Sequence, residues 1–80
     1  MDWHVYILRC GDGTLYTGIA KDLEKRVAVH NSGKGAKYTA RRLPVKLTYS
    51  EEAENRSAAS QREYAIKQLS RAEKLALITS

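Results

Sequence analysis

Two tyrosines on either side of a glycine-rich turn are the first candidates for chemistry in this chain. Tyr6 and Tyr16 each lie in a short apolar stretch, and Gly-Asp-Gly at residues 11–13 separates the stretches. This pattern predicts a β-hairpin. A three-residue loop pairs Tyr6 with Gly18 and puts both tyrosines on one face, whereas a two-residue loop separates them. The two phenols form either a packed aromatic pair, which the hairpin alone favours, or a reaction centre.

Three further side chains supply what hydrolysis of a phosphodiester requires. Arg26 and His30 are four residues apart and therefore project from one side of a helix, where Arg26 offers a bidentate donor to phosphate. Glu63 offers a hard oxygen ligand to a divalent metal, Mg²⁺ or Mn²⁺. A tyrosine whose pKa is lowered by the metal or by Arg26 would deprotonate or orient the attacking water. The structural alternatives are a solvated helix face for Arg26 and His30, and a surface pair of Glu63 with Lys67.

The hydrophobic pattern predicts the elements that position these residues, in the order β-β-α-β-α-α. The hairpin and a third strand at residues 45–50 form a three-stranded antiparallel sheet, and helices flank it. The residues of the third strand expected on one face are Val45, Leu47 and Tyr49. Residues 1–80 are therefore expected to form one domain of the mixed α/β (α+β) class.

Caps and apolar stripes predict three helices. The first begins after the N-cap Asp22 and ends at residues 31–33. Its buried stripe is expected to be Leu23, Val27 and Ala28. The second spans residues 55–69 and carries Glu63 at the edge of its stripe. The last begins with a capping box formed by Ser70 and Glu73.

Positive charge is concentrated in the middle of the chain. The chain has a net charge of +5, and residues 21–46 alone contribute +6. Residues 33–42 contain two glycines and four basic residues without a helical period, which predicts an exposed loop. Its candidates for contact with a nucleic acid are Lys34, Lys37, Arg41 and Arg42. The alternative is a basic surface that serves only solubility.

Composition limits the classes that remain. Eighty residues with 42% apolar side chains suit one small globular core, and a single cysteine excludes a disulfide framework or a cysteine-rich zinc site. Cys10 is expected in the core. No stretch resembles a signal peptide or reaches membrane-spanning length, so we expect a cytoplasmic protein without membrane contact. An acidic cluster at residues 51–54 is expected in a solvated turn and is the competing metal-ligand set.

The combined pattern resembles the GIY-YIG nuclease family over nearly the whole chain. The resemblance rests on Val5-Tyr6-Ile7, Tyr16-Thr17-Gly18, Arg26, His30 and Glu63. It is nearest to the small stand-alone members and to the nuclease domain of structure-selective endonucleases. The resemblance implies a three-stranded antiparallel sheet and metal-dependent cleavage of DNA phosphodiesters. It also implies catalytic roles for Tyr6, Tyr16, Arg26, His30 and Glu63, with the metal held by Glu63.

The sequence departs from the family pattern at three points. His4 stands in place of the first glycine of the motif, Thr17 stands in place of an isoleucine, and no asparagine follows Glu63. The complete set of tyrosines, arginine and glutamate favours a metal-dependent nuclease, and the resemblance implies DNA rather than RNA as its substrate. The missing asparagine keeps open a nucleic-acid-binding module with little or no turnover. At this length, sequence specificity would come from the basic loop or from a protein partner, and a small protein-binding scaffold is the third hypothesis.

Overall fold

The computed structural model describes residues 2–80, which form one antiparallel sheet and four helices. The strands are β1 (Trp3–Arg9), β2 (Leu15–Ala20) and β3 (Lys46–Ala53). The helices are α1 (Leu23–Asn31), α2 (Lys37–Ala40), α3 (Arg56–Lys67) and α4 (Arg71–Thr79). The strand order is β2-β1-β3. The predicted three-stranded antiparallel sheet with flanking helices is confirmed, and α2 is an additional element that the sequence pattern did not predict.

The hairpin has the three-residue loop that places both tyrosines on one face. The Cys10 amide donates to the Thr14 carbonyl over 2.8 Å, which closes the loop. Tyr6 is paired with Gly18, and Leu8 is paired with Tyr16. Because side chains alternate along a strand, this register puts Tyr6 and Tyr16 on the same face as diagonal neighbours, which is the three-residue-loop alternative.

Both faces of the sheet are covered, so β1 is buried almost from end to end. One face carries Tyr6, Leu8 and Cys10, and α1 packs against it through Leu23 and Val27. The other face carries Val5 and Ile7, with α3 and α4 against it. The helical residues in that second cluster are Ala59, Ile66, Leu77 and Ile78. The position predicted for Cys10, in the core, is confirmed.

A β-bulge in β3 overturns the predicted alternation of that strand. Ile7 pairs with Tyr49 but Leu8 pairs with Leu47, so Thr48 is an extra residue between them. The Thr48 hydroxyl donates to the Ile7 carbonyl over 3.0 Å. Beyond a bulge the side chains change faces. Val45 therefore packs with Leu8, whereas Tyr49 packs with Ile7, and the expectation that Val45, Leu47 and Tyr49 share a face was wrong.

Helix α1 begins and ends close to the predicted residues but buries a different side chain. The Asp22 carboxylate accepts from the Lys25 amide over 3.1 Å, which confirms the cap. Ala28, expected in the stripe, is exposed, whereas His30 is completely buried. Leu23, Val27 and His30 follow at intervals of four and three residues, so the inward face continues through the imidazole rather than through Ala28.

The acidic cluster lies partly within β3 rather than in a turn after it. Glu51 and Glu52 are strand residues. The Arg62 Nε donates to Glu51 Oε2 over 2.9 Å, and the Tyr49 hydroxyl donates to Glu51 Oε1 over 2.7 Å. Arg62 on α3 is exposed, and its ion pair with Glu51 on β3 connects the helix to the sheet. Helix α3 ends at Lys67, two residues before the predicted end, because the Gln68 amide already closes its last turn.

The capping box predicted at the start of α4 is confirmed and can be tested. The Ser70 hydroxyl accepts from the Glu73 amide over 3.2 Å, and the Glu73 carboxylate accepts from the Ser70 amide over 2.9 Å. We expect Ser70→Ala to lower the free energy of unfolding by about 1 kcal/mol. The matched change Ser60→Ala, at an exposed position inside α3, should leave stability unchanged or slightly higher, because alanine is the better helix former. Equal losses in urea denaturation would contradict the role of the cap.

Candidate functional site

A chain of three hydrogen bonds, two of them buried, runs from β1 through α1 to α2. The Tyr6 hydroxyl lies 2.9 Å from His30 Nε2. His30 Nδ1 lies 2.8 Å from Thr39 Oγ1. The Thr39 hydroxyl donates to the Ala36 carbonyl over 3.1 Å. Tyr6, His30 and Thr39 are all buried, so each polar atom in this chain depends on its neighbour for a partner.

Two glycines make the close packing around this chain possible. A Cβ on Gly18 would lie 2.5 Å from the Tyr6 hydroxyl oxygen, so the end of the Tyr6 ring occupies the space that a side chain on β2 would fill. A Cβ on Gly35 would collide with His30 Nδ1 and the ring beside it. The backbone of residue 35 therefore lies directly against the imidazole. Residues other than glycine at these two positions would displace the reactive groups.

Arg26 influences the pKa of Tyr6 through a side-chain hydrogen bond and its charge, and Glu63 influences it through its charge. Burial raises the pKa of Tyr6, the nearby Arg26 guanidinium opposes this shift, and the Tyr16 and Glu63 side chains add to it. Because burial prevails, the structure corrects the expectation that Arg26 lowers this pKa below its ordinary value. Tyr6 is therefore a neutral phenol at physiological pH, which can donate a hydrogen bond to His30 or accept one from it.

Burial also keeps His30 neutral. Desolvation lowers the pKa of His30, and the positive charge of Arg26 lowers it further. A neutral imidazole has one bare nitrogen that accepts a hydrogen bond. Arg26 and His30 thus lie on one side of α1, as their spacing predicts, and both act on the Tyr6 hydroxyl.

Tyr16 stands at the outer side of the imidazole in an aromatic stack. Its ring lies edge-on to His30 with centroids 5.3 Å apart and stacks on Tyr38 at 5.9 Å. The Arg42 guanidinium lies 3.9 Å from the centre of the Tyr38 ring. Arg42 also pairs with Asp12 over 3.1 Å and donates to the Tyr38 carbonyl over 2.8 Å. The hairpin turn and α2 are thereby tied together beside Tyr16.

Glu63 approaches the site from the other side of the sheet. It lies on α3, which packs against the face opposite to Tyr6, yet its charge reaches the Tyr6 hydroxyl. Its carboxylate is half-buried and pairs with Lys67 Nζ over 3.3 Å. The surface pair weighed from the sequence therefore exists, together with proximity to Tyr6.

The donor set suits a metal held by one carboxylate. Within residues 2–80 no cluster of three or more histidine, cysteine, aspartate or glutamate side chains has the geometry to hold a metal. In that part of the chain, a metal site built entirely from such side chains is therefore excluded. The acidic cluster at residues 51–54 does not form one either. Mg²⁺ usually retains several waters and binds one or two carboxylates together with substrate phosphates. Glu63 fits such a site.

The basic segment 33–42 is more structured than the sequence indicates. Residues Lys37–Ala40 form α2, and Thr39 is buried, so the expectation of a wholly exposed loop was wrong. Lys34, Lys37 and Arg41 are exposed, whereas Arg42 is engaged with Asp12 and Tyr38. A cavity of about 190 Å³ opens on this segment. Its lining residues are Gly33, Lys34, Gly35, Ala36, Lys37 and Ala40.

Thr39 is the residue that sequence reasoning missed. It stands among exposed basic residues, and its own neighbours give no periodic signal of burial. The available signal lay in His30, because a buried imidazole requires a partner for each ring nitrogen. The site residues expected from the sequence include Tyr6, which contacts Nε2, but they include no partner for Nδ1.

Comparison with known proteins assigns the chain to a class. Residues 2–76 match the sequence model of the GIY-YIG catalytic domain. The chain therefore belongs to the GIY-YIG family, a nuclease-type family that acts on nucleic acid and generally uses a divalent metal. None of the helices within residues 2–80 is both long and apolar enough to cross a membrane.

Its relatives are small stand-alone proteins of this family. The chain is 56% identical over 80 residues to a UPF0213 protein of Staphylococcus saprophyticus, covering 99% of this chain and 98% of the relative. It is 57% identical over 74 residues to a UPF0213 protein of Halobacterium salinarum, covering 92% and 96% of the two chains. The NMR structure of the UPF0213 protein BH0048 of Bacillus halodurans matches with a TM-score of 0.62 and 43% identity, covering 99% and 84%.

The lowered pKa of His30 predicts a dependence of stability on pH. The folded pKa lies below the ordinary value of 6.5, so in the intervening window the unfolded chain binds a proton that the folded chain does not. We expect the free energy of unfolding to fall as the pH is lowered from about 7.5 through 6.5 toward the folded pKa. Urea denaturation at a series of pH values measures this fall.

Two variants isolate the contribution of His30. His30→Gln should show a shallower fall over the same window, because the titrating imidazole is gone. His4→Gln removes the other histidine of the chain and is measured in parallel, so that the contributions of the two histidines to the slope are separated. If His30→Gln keeps the full slope, the pH dependence arises elsewhere and His30 is not held neutral by the fold.

Proposed function

We propose that this protein is a nuclease that hydrolyses phosphodiester bonds in DNA, acting as a single domain over residues 1–80. The observation that carries the proposal is the buried hydrogen bond between Tyr6 and neutral His30, with Arg26 beside it. A solvated helix face would leave Arg26 and His30 in water, whereas His30 is completely buried. Membership of a nuclease-type family supports the same reaction class.

The hydrogen-bond chain supplies a route for the proton of the attacking water. The Tyr6 oxygen accepts a proton from the water while its own proton passes to His30 Nε2, so the phenol never becomes a free phenolate. The water oxygen attacks phosphorus, the bond from phosphorus to the leaving ester oxygen breaks, and the Arg26 guanidinium stabilises the additional negative charge on the phosphoryl oxygens. Tyr16 lies against the edge of the imidazole and limits the access of bulk water to it.

Glu63 is the residue proposed to hold Mg²⁺ or Mn²⁺. When bound, the metal would supply Lewis-acid stabilisation of the leaving oxygen. The Lys67 ammonium pairs with the Glu63 carboxylate, and we expect a bound cation to displace it.

The basic segment is proposed as the phosphate-binding surface. Lys34 and Lys37 are exposed and line the cavity together with Gly35, which lies against His30, and Arg41 is exposed on the same segment. A DNA strand that contacts these side chains would therefore lie close to the reacting groups. We propose DNA rather than RNA as substrate, a cytoplasmic location, and targeting by a protein partner where specificity is needed.

A nucleic-acid-binding module without turnover is the competing function. The observation that favours it is the Glu63–Lys67 ion pair, which leaves the carboxylate already neutralised. The two functions share the basic surface and differ in the metal-dependent step. Variants of Glu63 therefore separate them.

Replacing Glu63 with alanine should abolish metal-dependent cleavage. The lost transition-state stabilisation is several kcal/mol, on the order of a thousandfold in rate. Cleavage of labelled branched and single-stranded DNA in Mg²⁺, Mn²⁺ or EDTA measures it. DNA binding without metal should persist, and stability should change little because alanine is a good helix former.

Glu54→Ala is the matched control for this variant. Glu54 is exposed and lies outside the site, so its removal changes the net charge equally without touching Tyr6. Cleavage by Glu63→Ala at a rate close to that of Glu54→Ala would place the metal elsewhere. If the parent protein binds DNA but cleaves none of the substrates with either metal, the binding module replaces the nuclease.

The phosphate-binding surface is tested by the salt dependence of DNA binding. The triple variant Lys34→Ala, Lys37→Ala, Arg41→Ala should weaken binding and reduce the salt slope by about one unit for each phosphate that is no longer neutralised. Arg42 is left in place because it fastens α2 to the hairpin turn. The charge-matched control replaces Lys46, Arg71 and Lys74 on β3 and α4. Equal effects of the two triple variants on the slope would mean that the segment acts only through net charge.

A further inference from the structure

Thr39 decides which nitrogen of His30 is bare. A threonine hydroxyl has one proton, and Thr39 gives it to the Ala36 carbonyl over 3.1 Å. With its proton in that hydrogen bond, the Thr39 oxygen accepts along the 2.8 Å contact with His30 Nδ1. In this arrangement Nδ1 carries the proton of the neutral imidazole, and Nε2 is left as the acceptor.

The same assignment fixes the direction of the Tyr6 hydroxyl. With Nε2 bare, the 2.9 Å contact is a hydrogen bond donated by Tyr6. The hydroxyl proton then points at the imidazole, and the lone pairs of the oxygen point away from it. In the other tautomer Nε2 would donate to Tyr6, and the Tyr6 proton would be turned away from His30.

The surroundings of Thr39 hold it in this role. It is completely buried, and α2 presents it to the imidazole while Gly35 packs against the same ring. The charged or titratable side chains around His30 are Tyr6 from β1, Tyr16 from β2 and Arg26 from α1. Of these, Tyr6 contacts Nε2, and the hydrogen-bond partner of Nδ1 is Thr39.

We propose that Thr39 is a positioning residue that fixes the Nδ1–H tautomer of His30 and thereby orients the Tyr6 hydroxyl as a proton acceptor for the attacking water. The catalytic consequence rests on the proposed nuclease function, whereas the tautomer does not. The proposal makes α2 part of the reaction centre as well as of the basic surface. It assigns to a residue outside the matched motifs a role that acts wholly through His30.

The tautomer is read from the ring nitrogens of His30 in ¹⁵N-labelled protein. At a pH above 7, the parent should show a protonated Nδ1 and a bare Nε2. Thr39→Val keeps the shape but removes the hydroxyl, and its His30 should shift toward protonation at Nε2. Thr39→Ser retains the hydroxyl and should restore the signals of the parent. His4→Gln identifies which signals belong to His30, because the chain has two histidines.

Thr17→Val is the matched control for the loss of a buried hydroxyl. Thr17 is buried on the hairpin, and its hydroxyl has no hydrogen-bond partner within residues 2–80. This variant should leave the His30 signals unchanged. A parent protein with protonated Nε2, or a Thr39→Val protein with the tautomer of the parent, overturns the proposal.

Cleavage kinetics provide the second readout. Thr39→Val should lower kcat about tenfold or more with KM nearly unchanged, and Thr39→Ser should recover most of the loss. Near-parent kcat in a folded Thr39→Val protein would overturn the catalytic consequence. If the parent cleaves no substrate, the nuclease function fails, and the ring-nitrogen signals still decide whether Thr39 sets the tautomer.

Discussion

A buried imidazole with a partner for each ring nitrogen is the interaction on which the site depends. His30 is completely excluded from water, and its nitrogens meet Tyr6 on one side and Thr39 on the other. A buried polar atom without a partner costs about 1–3 kcal/mol, so neither contact is optional. The two hydrogen bonds join β1, α1 and α2. The basic segment is thereby held in a fixed position beside the sheet.

The sheet brings together groups that approach from its two faces. Tyr6, Arg26 and His30 belong to the side covered by α1, whereas Glu63 belongs to a helix on the opposite side. Gly18 has no side chain, and the end of the Tyr6 ring occupies that space. The charge of Glu63, on the helix of the opposite side, adds to the raised pKa of Tyr6. The sheet between the helices therefore sets the relative positions of these groups.

The sequence was informative where one local rule decides the structure. Loop parity fixed the faces of Tyr6 and Tyr16, and side-chain chemistry located the caps at Asp22 and Ser70. Prediction from the sequence failed where contacts between residues distant in the chain determine the structure. The bulge at Thr48 arises from the pairing of β3 with β1, and the burial of Thr39 arises from the needs of His30. Neither residue differs locally from an exposed one.

The site could be predicted in part for the same reason. The residue types and spacings of Arg26, His30 and Glu63 suffice to suggest phosphodiester chemistry. They do not reveal that burial keeps Tyr6 protonated and His30 neutral, because desolvation depends on the whole packed structure. The ion pair of Glu63 with Lys67 was one of two interpretations open from the sequence. In the structure Glu63 does both: it pairs with Lys67, and its charge acts on Tyr6.

In a domain of this size the reactive residues are also the core. Tyr6, His30 and Thr39 are among the largest completely buried side chains in the part of the chain described. Removing any of them by alanine would create a cavity and leave a polar partner unsatisfied, so a loss of activity would report unfolding as readily as chemistry. Glu63 and the exposed lysines lie outside the core and carry no such ambiguity. The residues nearest the reaction therefore require substitutions that preserve shape, such as threonine to valine, and a readout from the ring nitrogens themselves.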